Sequence, residues 1–251
     1  MVEFLNTQQQ TVGLMLTTCN DAPMAKVMYP SLMASMPSMY RWAFFVIDSG
    51  SSDDAVAYFK SKHEKIYGPH TPDFYPTFHQ VDALNAGIKT YLGYDPDKNE
   101  FTKLDYIGYI GWVHADMEFP NKGWLGDLVK VAEEHPEYGK LGPDDWGRPV
   151  LEDRPGNQCP WIMPVSALMA LWKKDGFFFR SGYQCVGEYA DWDLNRRLIN
   201  MGLKVMITSR VHVKHEGMGT RKLQKGEKFH QVNLANASLY GKTWGDYNAP
   251  C

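Results

Sequence analysis

Apolar residues in this chain gather into short continuous runs, separated by polar turns or by stretches with helical spacing. Five runs read as strands: VGLMLT (12–17), WAFFVID (42–48), YIGYIGWV (106–113), PWIMPV (160–165) and KVMITSRVHV (204–213). Continuous apolar runs of this length, rich in β-branched and aromatic residues, fit strands buried on both faces. KIYGPH leaves room for a further short strand.

Between these runs the period lengthens. A Met-rich stretch over 24–39 is helical in pattern, but Pro23, Pro30 and Pro37 predict a kinked or broken helix. Helices are expected over 54–63 and 125–134, over 167–174, and around Val81, Leu84 and Ile88, which share a face. Another is expected over 193–201, stopped by Gly202 in the C-cap position. Residues 139–157, rich in Gly, Pro and Asp, read as a polar loop. Strands alternating with helices imply an α/β domain, with a mostly parallel central sheet and helices on both faces. One domain is expected over 1–251, with a basic tail after about 222 whose polar composition is compatible with mobility.

Composition narrows the class only modestly. The net charge of −3 gives no global pull toward nucleic acid or anionic membranes. The four cysteines are widely spaced and form no C-x-x-C pair, which argues against a structural zinc site or a disulfide framework. Reduced thiols point to a cytoplasmic protein. The first residues, MVEFLNTQQQ, have neither a basic nor a long apolar segment of the signal-peptide kind. No apolar run approaches the roughly 20 residues a membrane helix needs.

In a parallel sheet of this kind, ligands bind beyond the carboxyl ends of the strands. Those ends carry Thr17, Asp48, and the group His114, Asp116 and Glu118. If the strand persists, positions 114, 116 and 118 point to one side. Oxygen ligands there suit a hard ion such as Mg²⁺ or Mn²⁺, although solvated acids at a strand end look the same in sequence. Asp48 opens a Ser/Gly turn, so a plain turn competes with nucleotide binding. In GEYADWDLNRRLINMG, Asp191 is placed to cap a helix, and Asp193 and Arg197 can pair at i,i+4 on its surface. Glu188 and Asp191 lie where a general base could face a pocket. His212 and His215 precede Gly217, Gly219, Arg221 and Lys222, a composition that suits a loop over a diphosphate as well as a solvated basic tail.

The order of these segments carries more than any one of them. TTCND, IDSGSSDD, ALNAGI, HADMEFPNKGWLGDL, GEYADWDLNRRLINMG and VHVKHEGMGT follow one another as in the family 2-like glycosyltransferases of the GT-A fold, which the chain resembles from about 12 to 222. The resemblance implies a metal-dependent transferase that moves a sugar from a nucleotide-diphosphate donor to an acceptor hydroxyl, with inversion. It implies Thr17, Asp48 and Asn85 near the donor nucleoside, and His114-Ala115-Asp116 in the place of the D-x-D signature. Asp116 would bind Mn²⁺ or Mg²⁺, aided by Glu118, His212 or His215, and Arg221 would contact the donor. Asp191 would be the general base, with Glu188 beside it. His114 stands where the family usually has Asp, and Ala190 where it usually has Glu.

A UDP-sugar is the expected donor, and a glycan or small molecule the expected acceptor. A modified nucleotide in DNA is a minor alternative, prompted by the basic segment 210–228. Residues 139–157 and Trp146 are the expected acceptor-facing region. Two other functions compete: a catalytically silent glycan- or partner-binding module, and a sugar nucleotidyltransferase. The second would want a Gly-rich basic loop after the first strand, which TTCNDAPMAK lacks.

Overall fold

The computed structural model describes residues 11–18, 20–37, 41–51, 53–67, 80–145, 152–156, 159–183, 189–215 and 227–245. Its strands are β1 (Thr11–Thr18), β2 (Trp42–Asp48), β3 (Lys65–Tyr67), β4 (Tyr94–Asp95), β5 (Glu100–Phe101), β6 (Ile107–Val113), β7 (Met117–Glu118), β8 (Tyr138–Asp145), β9 (Arg154–Pro155), β10 (Trp161–Pro164) and β11 (Lys204–His215). Its helices are α1 (Ala22–Ser35), α2 (Ala55–Ser61), α3 (Gln80–Tyr91), α4 (Trp124–Glu134), α5 (Val165–Asp175), α6 (Tyr189–Ile199) and α7 (Glu227–Trp244).

The main sheet runs β3-β2-β1-β6-β10-β8-β11-β7, with β9 added against β11, and β4 and β5 form a separate hairpin. β3, β2, β1 and β6 are mutually parallel. β10 runs antiparallel to both β6 and β8, so β8 and its parallel partner β11 share the direction of β6. The mostly parallel sheet expected from the continuous apolar runs is therefore present. Val12, Leu14, Phe45, Ile47, Ile110, Trp112 and Ile162 are buried along it, and Val81, Leu84 and Ile88 of α3 close one face as their spacing predicted.

Four local expectations change. α1 is one helix despite Pro30, whose side chain lies on the exposed face, so the carbonyl it leaves unpaired is on the solvent side. Second, 139–157 is not all loop: its first part is β8, a central strand between β10 and β11. Tertiary burial overrides the poor strand propensity of Gly139, Lys140 and Pro143. The lost ladder donor at Pro143 coincides with a register shift, in which Thr208 pairs with Pro143 and His212 with Asp144. The Asp153 carboxylate fills the gap by accepting hydrogen bonds from Ser209 N and Thr208 Oγ1.

Third, α6 begins at Tyr189, so Asp191 lies in its first turn and not at its cap. The Asp193–Arg197 pair forms at 3.8 Å, but it is buried and not on the surface. Asp193 also accepts hydrogen bonds from Arg180 Nε and Trp244 Nε1, both at 2.9 Å. Fourth, the expected tail contains α7, whose Tyr240 is fully buried against Tyr189 and Trp192 of α6. Among the described residues, no helix is long and apolar enough to cross a membrane.

Candidate active site

The ends of β1 and β2 are knit together by polar contacts. Asp48 is 1% exposed, and its carboxylate accepts from Gly50 N (3.3 Å) and Ser51 N (3.0 Å) in its own turn. Asn20 and Asp53 tie the two loops: Asp53 N donates to Asn20 Oδ1, and Ala22 N at the start of α1 donates to Asp53 Oδ2. Thr17 is buried and its hydroxyl accepts from the Trp112 indole at 3.2 Å. Asn85 makes two hydrogen bonds to the backbone of Phe179, one to its carbonyl and one from its amide. That contact fastens α3 to the segment between α5 and α6. All three expected nucleoside contacts are thus engaged within the protein.

The end of β6 is arranged differently. After Val113 the chain turns through 115–116, and β7 then pairs antiparallel with the end of β11, setting His215 opposite Met117. The pairing brings together side chains about a hundred residues apart. His215 Nε2 lies 3.3 Å from Asp116 Oδ1, and His114 Nδ1 lies 4.0 Å from the same oxygen. One ligand atom from each of His114, Asp116 and His215 falls within 4.8 Å of the others, a group able to hold a metal ion. The His114 ring is fixed edge-on to Trp112, with centroids 4.4 Å apart. Beside the group a cleft of about 260 Å³ opens, walled by Asp116, Met117 and Glu118 on one side and by Pro23, Met24 and Val27 of α1 on the other.

Because the strand does not persist through 118, Glu118 is carried away from Asp116 and pairs with Lys214 at 2.9 Å, both side chains being well exposed. His212 faces the buried Asp144 at 3.3 Å, across the β11 register shift. Neither joins the group of three. His114, expected as a donor contact, does.

Asp191 projects from the first turn of α6 with its side chain 14% exposed, and its Oδ1 lies 3.7 Å from Lys140 Nζ. Cys159, just ahead of β10, is buried, and its thiol donates to the carbonyl of Trp112, the residue whose ring packs against His114, at 3.4 Å. Its thiol is pushed well above the ordinary value by burial and then by the charge of Asp191; Asp116 adds to the rise and Lys140 opposes it. One buried sulfur thus lies within electrostatic reach of both carboxylates. Lys140 and Cys159 were not singled out in the sequence. The clue for Lys140 was its place between the apolar Tyr138 and Leu141 in what is now β8. Glu188, Arg221 and Trp146 lie outside the described residues.

A nitrogen–nitrogen–oxygen set suits a divalent transition-metal ion better than Mg²⁺, which favours oxygen alone. The chemistry of the three donors therefore fits a divalent metal. The three residues thus offer a cation position after β6.

Comparison with known structures identifies the fold. No protein-family model matches the sequence, and no curated protein matches it. Solved structures do. A mannosyltransferase from Pyrobaculum calidifontis, in complex with GDP-Man and Mn²⁺, superposes with a TM-score of 0.58 at 14% identity, over 95% of this chain and 65% of its own. The chain thus spans just under two thirds of that enzyme's length. TarS from S. aureus, residues 1–349 in complex with UDP-GlcNAc, gives 0.55 at 16% identity over 91% of this chain and 66% of its own. Glucosyl-3-phosphoglycerate synthase from Mycobacterium tuberculosis, bound to phosphoglyceric acid, gives 0.57 at 14% identity over 92% and 80%. The strand order, the helices on both faces and these superpositions together establish the fold of this chain as the GT-A glycosyltransferase fold.

Proposed function

We propose that this protein is a metal-dependent glycosyltransferase that moves a sugar from a nucleoside-diphosphate donor to an acceptor hydroxyl with inversion. The observation that carries the reading is the His114–Asp116–His215 group, joined to Asp191 through a packed series of side chains: Asp191 to Lys140, Lys140 over Trp161, Trp161 against Trp112, and Trp112 against His114. The neighbours bound to GDP-Man or UDP-GlcNAc support a nucleotide-sugar donor.

A divalent ion held by His114, Asp116 and His215 would supply positive charge for the leaving diphosphate. The rest falls to the chain. Asp191, on the far side of the reacting carbon, takes the proton of the acceptor hydroxyl as that oxygen bonds to the anomeric carbon. The bond from that carbon to the diphosphate oxygen breaks, and its electrons leave with the nucleoside diphosphate. A single displacement with one base inverts the configuration. Trp112 and its Thr17 contact keep the His114 ring in place, and Met24 and Val27 supply an apolar wall that keeps water from part of the cleft. Mn²⁺, the ion in the mannosyltransferase neighbour, is the first metal to try, and a UDP-sugar the first donor.

Two measurements test this. Mn²⁺ binding, read from the loss of the free-ion paramagnetic resonance signal, should tighten in the presence of UDP or GDP and be lost in D116N. Asp191→Asn should lower turnover by about 10²–10⁴-fold, the usual contribution of a general base, with Mn²⁺–nucleotide binding retained. Wild-type turnover in D191N would remove the base assignment. Absence of any nucleotide effect on Mn²⁺ binding would remove the donor assignment.

A further inference from the structure

Lys140 is an unusual residue for its position. It sits in the central strand β8 with its side chain 1% exposed, where apolar residues are the norm. A buried ammonium costs several kcal/mol unless it is paired, so its surroundings deserve accounting. Its partners include two side chains of α6 and an indole ring. Asn195 Oδ1 accepts its hydrogen bond at 3.1 Å, Asp191 Oδ1 forms an ion pair at 3.7 Å, and the Trp161 ring presents its face at 5.1 Å. Asp191 and Asn195 are one turn apart on α6, so the ammonium bridges two side chains of a single helical face.

The two ends of this pair differ in access. The Lys140 side chain is 1% exposed, whereas the Asp191 side chain is 14% exposed. Such an ion cannot serve as a substrate contact; it acts through its partner.

We propose that Lys140 is a positioning residue for Asp191: its buried ammonium keeps the carboxylate ionised and fixes the face it turns to the acceptor. This rests on the reading of Asp191 as the base. The cost of the arrangement is visible in Lys140 itself, whose own pKa is pulled down by burial and brought part of the way back by Asp191. Cys159 ahead of β10 also faces the pair: it acts on Lys140 and is acted on by Asp191, and Asp116 after β6 reaches the same thiol. Asp193, on the same helix, turns instead to Arg180, Arg197 and Trp244.

The test compares the wild-type chain with Lys140→Met, and with Lys140→Arg to restore the charge. The side-chain carboxyl carbon of Asp191, assigned through D191N, is titrated by NMR in metal-free buffer. Loss of the neighbouring positive charge disfavours the ionised carboxylate, so the Asp191 titration should move to higher pH in K140M and return toward wild type in K140R. Hydrolysis of UDP-glucose and GDP-mannose with Mn²⁺ is then followed against pH. The acid limb should move the same way, with kcat reduced more at pH 6 than at pH 8 and KM little changed. Should K140M fail to fold, Lys140→Gln removes the charge and keeps a polar contact to Asn195.

An Asp191 titration unmoved in every neutral variant overturns the proposal, because a merely structural lysine would leave it so. Failure of the underlying reading looks different. There the titration moves with Lys140, but D191N hydrolyses the donors as wild type does; the charge coupling then exists without a catalytic role, and the positioning proposal falls with the base.

Discussion

Asp48 and Asp116 look alike in sequence, each an acid that ends or follows an apolar strand, yet the fold treats them in opposite ways. Asp48 is satisfied within three residues, by the amides of Gly50 and Ser51. Asp116 meets His114 two residues back and His215 on β11, side chains brought together by the β7–β11 pairing. A carboxylate held by its own turn stabilises that turn. A carboxylate facing two imidazoles from different segments makes a place where something else can bind. The distance in sequence between an acid and its partners, more than burial alone, separates the two kinds of site here.

The sharpest test lies at a third acid, whose partners come from its own helix, from the segment before it and from α7. Asp193 is fully buried and joins Arg180, Arg197 and Trp244. Asp193→Ala should cost about 3–5 kcal/mol in urea unfolding, because it leaves Arg197 buried without that partner. A loss under about 1 kcal/mol would mean that long-range partners matter less than the comparison holds.

Asp48→Asn should cost less, about 1–3 kcal/mol, since an amide NH₂ would face a backbone donor where an oxygen now accepts. Its Mn²⁺ affinity should match wild type. Asp116→Asn should do the reverse, changing the stability of the metal-free protein by less than about 1 kcal/mol while abolishing Mn²⁺ binding. Finding both effects in one of these two variants would erase the distinction. At the small end, Glu118→Gln breaks an exposed pair with Lys214 and should change stability by less than about 0.5 kcal/mol. Unchanged Mn²⁺ binding in E118Q would confirm that β7 carries Glu118 out of the group.

The core strands were legible because continuous apolar runs such as WAFFVID have few other ways to be buried. β2 spans the predicted residues, and β1, β6 and β10 differ by a residue or two at their ends. β8 was not legible. Its Lys140, Pro143 and two aspartates are poor strand formers, and only burial between β10 and β11 makes them one. The same rule governed the site. Asp116 and His215 could be placed by motif order, but their 3.3 Å approach depends on an antiparallel pairing of two residues with two, too short to leave a pattern. Glu118 was misplaced by assuming that a strand continues once begun. Lys140 was missed because a lysine in a Gly- and Pro-rich stretch reads as surface until its strand is known to be central.

The indole of Trp244 donates to Asp193 from 51 residues further along. That one bond orders events while the chain is being made. The residues of the proposed site emerge in sequence: His114 and Asp116, then Lys140, then Asp191 with Asn195, then His215. A chain synthesised as far as β11 already carries every one of these side chains, yet its α6 still lacks the indole on the Asp193 carboxylate and the ring of Tyr240 against Trp192. Domains are completed as synthesis proceeds from the N-terminus. Full packing of α6 must therefore wait until α7 has emerged, so the nascent chain holds the parts of a site before it holds them still.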